Sequence, residues 1–320
     1  MKLDAKRILI TGAGGFVGSS IMTVMLKADW RVVALDRHFR PSFISRFEEQ
    51  FPGRITFVVS DMTTLPDIDV DALIHGAATT ASPDDLKQAP EVHFRSNMNP
   101  LLNVLEWAAE RHVTRSLFIS SSAVYRRTNL APVTETMLPE AQGLYAIAKY
   151  TMELLVATLR DEYGRDAATI RLSNVYGTGE VAKDSRPRVS LISRMLDEAL
   201  VTGRLIVYRD DPQRDWTYAE DIGKAALALL SQPSLDYSLY NVASEQMFSP
   251  LEIAEAIQSV LPKLVIEVRD GCDPSVLPLL RRGFLSHQRF EEQTGFKDWT
   301  PIRDGLKHII DERVVPEAKA

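Results

Sequence analysis

The chain alternates short apolar runs with stretches whose apolar residues recur at helical spacing. Strand-like runs fall at residues 8–11, 31–35, 55–59, 72–75, 116–120 and 169–172. Several are continuous rather than alternating, as in Ile8-Leu9-Ile10, which is the pattern of a strand buried on both faces of its sheet. Helical patterns lie between them, over about 16–27, 97–110 and 145–163. The second of these carries Leu101, Leu102, Leu105 and Ala108 at helical spacing and reads as core. Such regular alternation predicts an α/β fold, a doubly wound parallel sheet covered by helices. Further on, the spacing predicts a helix over 189–201. Ser249-Pro250 and Thr300-Pro301 read as helix starts, with a capping hydroxyl followed by a proline whose missing N–H would be unpaired anyway.

The polar residues that end these strands matter more than their number. In open parallel sheets ligands bind beyond the carboxyl ends of the strands. There the sequence places Asp36, Asp61, Gly76-Ala77-Ala78, Ser121-Ser122 and Asn174. The first strand runs into R-I-L-I-T-G-A-G-G-F-V-G, with glycines at 12, 15 and 18. Gly12 permits a tight turn, Gly15 lets backbone approach a pyrophosphate, and Gly18 lets the following helix pack on the strand. That helix opens at about Phe16 and Val17 and aims its N-terminal amides at the phosphates. Asp36 ends the second strand roughly 20 residues on, where a carboxylate accepts hydrogen bonds from an adenosine ribose. Together they predict a dinucleotide site in a Rossmann-type domain; the bland alternative is a glycine turn between strand and helix. His75 has no partner in its neighbourhood and reads as a packing residue at a strand end.

Reactive groups come next, in two places. Residues 117–125, L-F-I-S-S-S-A-V-Y, are an apolar strand ending in serines. Residues 145–149, Y-A-I-A-K, put Tyr145 and Lys149 on one face of a helix by their i,i+4 spacing. A free tyrosine ionises near pH 10, so it serves as a base near neutrality only where a cation favours the phenolate, a task suited to Lys149. A serine hydroxyl would orient an alcohol or carbonyl while Tyr145 moves the proton.

The spacing G-x-x-G-x-x-G after Thr11, followed by the serine strand and Y-x-x-x-K, resembles the extended branch of the short-chain dehydrogenase/reductase superfamily, the NAD-dependent epimerases and dehydratases. Two later stretches extend the resemblance: R-L-S-N-V-Y-G-T-G over 171–179 is similar to R-x-x-N-V-Y-G-P-G, and Q-R-D-W-T-Y-A-E-D-I over 213–222 to Q-x-R-D-F-V-Y-V-x-D-V. The resemblance implies NAD as cofactor, an adenine contact at Asp61-Met62, and a small-residue wall at Ala77 and Ala78. It implies that Asn97 holds the nearby strand and active site in place, where the alternative is a helix-capping Asn. By register with the branch, the acting hydroxyl three residues before the V-Y pair is Ser121, with Ser122 as fallback. Asn174 is matched to a sugar or phosphate contact, and Arg214 to a bidentate diphosphate contact; the alternative for Arg214 is an ion pair with Asp211 or Asp215. Members commonly dimerise through the helices represented by 97–110 and 145–163, where Leu154, Leu155 and Leu159 exceed one sheet-facing stripe.

Composition narrows the class. A chain of 320 residues is expected to form a large domain over 1–175, with 215–231 returning to it, and a smaller α/β substrate domain over 176–320. A net charge of −6 argues against a general nucleic-acid or membrane-surface binder. The lone Cys272 permits no internal disulfide, and no Cys/His cluster has metal-ligand spacing. The N-terminus lacks a secretion-type apolar region and no apolar run is long enough to span a bilayer, so the expected compartment is the cytoplasm.

The resemblance leaves the reaction to the residues. Ser121-Ser122-Ala123 stands where a 4,6-dehydratase of the branch has Thr-Asp-Glu, which removes that reaction's acid/base pair. The leading expectation is a sugar epimerase acting on a nucleotide sugar. The alternatives are a dehydrogenase of a free sugar, sugar acid or hydroxy acid, and a non-catalytic nicotinamide sensor, which Tyr145 and Lys149 argue against. Two departures stand out: Arg126 replaces a glycine after the V-Y pair, and 280–284 (L-R-R-G-F) is a distorted trace of a late R-x-G-D-x motif.

Overall fold

The computed structural model describes residues 6–125, 132–183, 185–274 and 282–314. Chain order begins β1 (Arg7–Thr11), α1 (Phe16–Lys27), β2 (Arg31–Asp36), α2 (Pro41–Gln50), β3 (Ile55–Val59) and β4 (Ala72–His75). It continues through α3 (Pro83–Leu86), α4 (Pro90–Glu110), β5 (Arg115–Ser121), α5 (Leu144–Tyr163), β6 (Ala167–Leu172) and β7 (Asn174–Tyr176). Then come α6 (Leu191–Thr202), β8 (Arg204–Tyr208), β9 (Arg214–Tyr218), α7 (Ala219–Leu230) and β10 (Leu239–Val242). The last elements are β11 (Met247–Phe248), α8 (Pro250–Val260), β12 (Val265–Arg269), α9 (Gln288–Thr294) and α10 (Ile302–Val314).

Seven strands form one sheet in the order β10-β6-β5-β4-β1-β2-β3, and every pairing is parallel. The chain leaves β1 toward β2 and β3, then returns to lay β4 on the other side of β1. A crevice therefore opens beyond the carboxyl ends of β1 and β4, where ligands bind in such sheets. Ile8, Ile10, Ile74, Leu117 and Ile170 face one helical layer; Leu9, Val33, Leu73 and Phe118 face the other, packed against α4 and α5. This is the Rossmann-type α/β architecture that the alternation predicts.

After β6 the chain crosses into a smaller layer of short sheets, β11-β9-β7 and β12-β8, cored by α6, α8 and α10. It returns to the main sheet with α7 and β10. α7 lies on α1 so closely that a Cβ on Gly223 would stand 2.7 Å from Val24 Cγ2. The small layer overhangs the crevice and brings Arg214 on β9 and the segment before α6 to face the glycine turn.

The helix expected from about Asn97 begins at Pro90 instead. Its first two turns bury His93 and Asn97, polar residues that hide the apolar periodicity, and Pro100 sits within it where a helix break would be read. Among the described residues no helix is long and apolar enough to cross a membrane, and no group of three or more His, Cys, Asp or Glu is placed to hold a metal ion.

Candidate active site

The glycine turn is shaped by close approaches that only glycine allows. Gly12 has φ +70°, and a Cβ there would stand 2.7 Å from the Ala77 amide nitrogen. A Cβ on Gly18 would collide with the Gly12 carbonyl oxygen. Gly15 starts α1 without any side-chain cap, so the first-turn amides stay available to a ligand. The turn opens onto a cavity of about 840 Å³ lined by Gly12, Gly15, Phe16, Val17 and Gly18 on one side and by Ser121, Tyr145 and Lys149 on another. Ala78, Asn174 and Arg214 line it as well.

The serines divide by environment. Ser120 is buried and spends its hydroxyl on Glu153 Oε1. Ser121, at the end of β5, accepts from the Ala123 amide at 3.1 Å and sits beside the Tyr145 phenol. Ser122 begins a short 3₁₀ turn over Ser122–Val124 and offers its carbonyl to the Arg282 guanidinium.

Lys149 lies one helical turn after Tyr145, with its ammonium 5.8 Å from the centre of the Tyr145 ring. It donates to the Ile119 carbonyl at 2.6 Å. Burial pulls its pKa down to about 8, against the carboxylate of Glu153, which pulls it up. Burial pushes the Tyr145 phenol up, opposed by hydrogen bonding from Ser121 and by the charge of Arg186. An ammonium and a phenol are thus packed together in one buried wall, where burial disfavours the charged form of each.

The remaining expected residues fall outside this cavity wall. Asp36 accepts from the Gly14 amide at 3.0 Å, tying the end of β2 to the glycine turn. Asp61 is held below the ordinary carboxylate range by the side-chain and backbone donors of Thr63, while Met62, at φ +66°, is buried. Asn97 lies mid-helix, so it caps nothing. Its Oδ1 accepts from the Thr79 amide at 2.9 Å and its Nδ2 donates to the Thr79 carbonyl at 3.3 Å, clasping the loop that follows β4. His75 bonds Thr11 through Nδ1 at 2.9 Å, and burial holds its pKa at about 3, so it is a neutral packing group.

On the opposite wall, Asn174 donates to the Asp215 carbonyl at 3.0 Å. Arg214 forms no ion pair with Asp211 or Asp215; burial and neighbouring Arg194 pull its pKa down. The Asp215 carboxylate instead accepts from the Leu285 amide at 3.0 Å, and burial raises its pKa to about 7. The charged residues lining the cavity are Lys149, Lys183, Arg186, Arg188, Arg194 and Arg214, with no Asp or Glu among the described lining residues. In a chain of net charge −6 this concentration of cations selects for anionic ligands. Sequence reasoning missed Lys183, Arg186, Arg194 and the buried pair Glu153–Arg171. Glu153 left a trace in its i,i+4 spacing from Lys149, and Arg171 in opening the R-L-S-N-V-Y-G-T-G stretch. Arg126, and residues 280–281 of the late motif, lie outside the described residues.

Residues 8–243 match the NAD dependent epimerase/dehydratase family. The chain belongs to that family. It is 24% identical over 327 residues to a UDP-glucose 4-epimerase of Corynebacterium glutamicum, covering 96% of this chain and 94% of the relative. It is 26% identical over 328 residues to a UDP-glucose 4-epimerase of Lacticaseibacillus casei, covering 95% and 94%. Among solved structures it is similar in fold to the UDP-glucose-4-epimerase of Stenotrophomonas maltophila with bound NAD and formylated UDP-arabinopyranose. There the TM-score is 0.84 at 22% identity, with 98% of this chain and 99% of that one covered. Membership of the epimerase/dehydratase family makes NAD the cofactor. The glycine cradle fits it, because the space that Cβ atoms on Gly12 and Gly18 would fill is kept clear beside uncapped helix amides.

Proposed function

We propose that this chain is an NAD-dependent nucleotide-sugar epimerase that inverts a hydroxyl-bearing carbon, C4 of the hexose. The observation that carries this reading is the pairing of two walls: Ser121, Tyr145 and Lys149 beside the glycine turn, and the guanidinium of Arg214, which forms no ion pair among the described residues, across the same cavity. Bound NAD supplies a hydride acceptor that also returns the hydride. In this reading Lys149, with Gly12, Gly15 and Gly18, holds the cofactor's ribose and phosphates, and Asp36 its adenosine ribose. Ser121 donates to the reacting oxygen and fixes its distance from Tyr145. Tyr145 takes the hydroxyl proton in one half of the cycle and gives it back in the other, with the Lys149 charge stabilising the phenolate. Arg214, with Arg194 near it, holds the sugar diphosphate, and Asn174 lies on the same wall. No second acid/base pair is needed for inversion, and none is found among the described residues that line the cavity. Whole-length relatives named UDP-glucose 4-epimerases support the same reading.

Assembly and location belong to the proposal too. Leu102 on α4 and Ile147 and Leu154 on α5 are exposed, which supports a homodimer through that helical face. A lone, exposed Cys272 supports a reducing cytoplasmic setting.

The test is incubation with UDP-glucose, UDP-galactose, their N-acetyl forms and UDP-uronates, followed by proton NMR of the sugar and absorbance at the NADH wavelength. Inversion at C4 without accumulating NADH is expected. Net NADH formed in proportion to an oxidised sugar would replace this reading with that of a dehydrogenase.

A further inference from the structure

The segment between β7 and α6 leaves the small layer, reaches the glycine turn and comes back. It is built to hold its position. The buried carboxylate of Glu180 accepts from the Ser190 amide at 2.8 Å and hydroxyl at 2.6 Å, and from Arg186 Nη2 at 2.5 Å, closing the segment's base. Lys183 and Arg186 exchange backbone hydrogen bonds of 3.0 and 2.8 Å. The Ser185 carbonyl accepts from the amides of Thr80 and Ala81 at 3.0 and 3.1 Å, fixing the tip to the loop after β4.

This framework delivers two cations onto the glycine turn from the opposite side of the cleft. Lys183 Nζ donates to the Gly14 carbonyl, and the Arg186 guanidinium stacks 5.2 Å from the Phe16 ring centre. Gly14 and Phe16 flank Gly15, where α1 begins. Lys183 forms no ion pair among the described residues. Burial pulls its pKa down and Asp36 pulls it up, so the ammonium is partly dehydrated with only a neutral oxygen at bonding distance. A cation held this way is costly unless an anion arrives to share it. Arg186 spends one face on Glu180 and keeps the cavity side free to a ligand.

We propose that Lys183 and Arg186 form a second half of the cofactor's pyrophosphate site, supplied across the cleft from the glycine turn, so that the dinucleotide is gripped from both sides and stays bound between turnovers. This rests on NAD as cofactor and deepens the epimerase reading, because an enzyme that returns its hydride to the same sugar must not release the cofactor midway. The ligand group is a diphosphate diester, whose two charges match one ammonium and one guanidinium.

The test measures binding, not turnover. NAD, ADP, adenosine and UDP are titrated calorimetrically into the protein and its Lys183→Met, Lys183→Gln, Lys183→Arg and Arg186→Met variants, with thermal melts to confirm folding. NAD retained through a desalting column is also counted. Lys183→Met and Lys183→Gln should weaken NAD and ADP by one common factor, roughly 10- to 100-fold for a charge-assisted hydrogen bond, and leave adenosine unchanged. Lys183→Arg should recover most of the affinity, and Arg186→Met should show a smaller loss. Unchanged NAD and ADP binding would overturn the proposal. So would an equal loss for adenosine, which marks a structural collapse, or a loss confined to UDP, which would assign the cations to the substrate. Failure of the nucleotide-sugar reading looks different: UDP then fails to bind even the unaltered protein while NAD binding keeps its dependence on Lys183.

Discussion

Arg171 on β6 and Glu153 on α5 form a buried, doubly hydrogen-bonded ion pair, Nε to Oε1 at 2.8 Å and Nη2 to Oε2 at 2.5 Å. The same carboxylate accepts from Ser120, the same guanidinium donates to the Tyr125 phenol, and Tyr125 donates to the Thr134 carbonyl at 3.0 Å. This network fixes the end of β5 against α5, and so sets Ser121 relative to Tyr145. Removing one partner leaves the other charge buried, so Glu153→Ala should cost about 3–5 kcal/mol in urea unfolding. Glu153→Ala with Arg171→Met should be less damaging than the single change. A double variant as unstable as Glu153→Ala would show that the loss is one of packing rather than of an abandoned charge.

The serine register has its own test. Tyr145→Phe removes one hydroxyl from a wall that otherwise stays packed, so NAD binding and folding should survive while turnover falls by roughly 10²–10⁴-fold. Ser121→Ala should resemble it, because Ser121 lines the cavity beside the phenol. Ser122→Ala should be milder, since what Ser122 offers Arg282 is its backbone carbonyl, which Ala keeps. Steady-state rates of the three variants decide the matter: a larger loss at Ser122 than at Ser121 would move the role by one residue.

How much of this was legible in the sequence follows from where the information lies. The glycines at 12, 15 and 18, the apolar strands and the Tyr145–Lys149 spacing are local patterns, and local geometry is what a sequence states most directly. The first turns of α4 were hidden because His93 and Asn97 are buried through hydrogen bonds to the Ala81 carbonyl and to Thr79, not through apolar contact. β10 is four residues long and gains its place from pairing with β6, which no local pattern announces. Lys183 and Arg186 sit in the segment 180–188, whose polar, irregular sequence suits a lid and points to no ligand for either residue. Their approach to Gly14 and Phe16 spans about 170 residues of chain and exists only once the small layer folds over the sheet.

Two buried groups make opposite contributions to acid stability. His75 has its pKa lowered from 6.5 to about 3, so between those values the unfolded chain binds its proton more tightly, and stability falls as pH falls. Asp215 has its pKa raised from 3.8 to about 7, so the folded chain binds the proton more tightly and stability falls as pH rises through that window. Between about pH 4 and 6.5 the two slopes oppose each other. Asp215→Asn should therefore make the unfolding free energy rise with pH more steeply than in the unaltered protein, by up to roughly 1.4 kcal/mol per pH unit. Urea midpoints measured at half-unit steps check this, and parallel profiles for the two proteins would refute it.

The last prediction concerns which dinucleotide is preferred. Asp36 ends β2 with its carboxylate accepting from the Gly14 amide at 3.0 Å, so it is fixed at the turn rather than free to swing aside. A negative charge held there accepts hydrogen bonds from a ribose and repels a 2′-phosphate, which favours NAD over NADP. Nearby cations oppose that preference: Arg40 and Arg46 line a cavity of about 300 Å³ beside the turn, together with His38. The carboxylate should win because it is anchored to the glycine turn, whereas the arginines project from a surface helix and its leading loop and are screened by salt. Calorimetric titration at low and physiological salt separates the two effects. NAD should bind more tightly at both, with the NADP gap widening as salt is added. Asp36→Asn keeps the oxygen that accepts from Gly14, removes the charge, and should close most of the gap by tightening NADP rather than by loosening NAD. Equal affinities in the unaltered protein would show that the arginines, not Asp36, govern the choice.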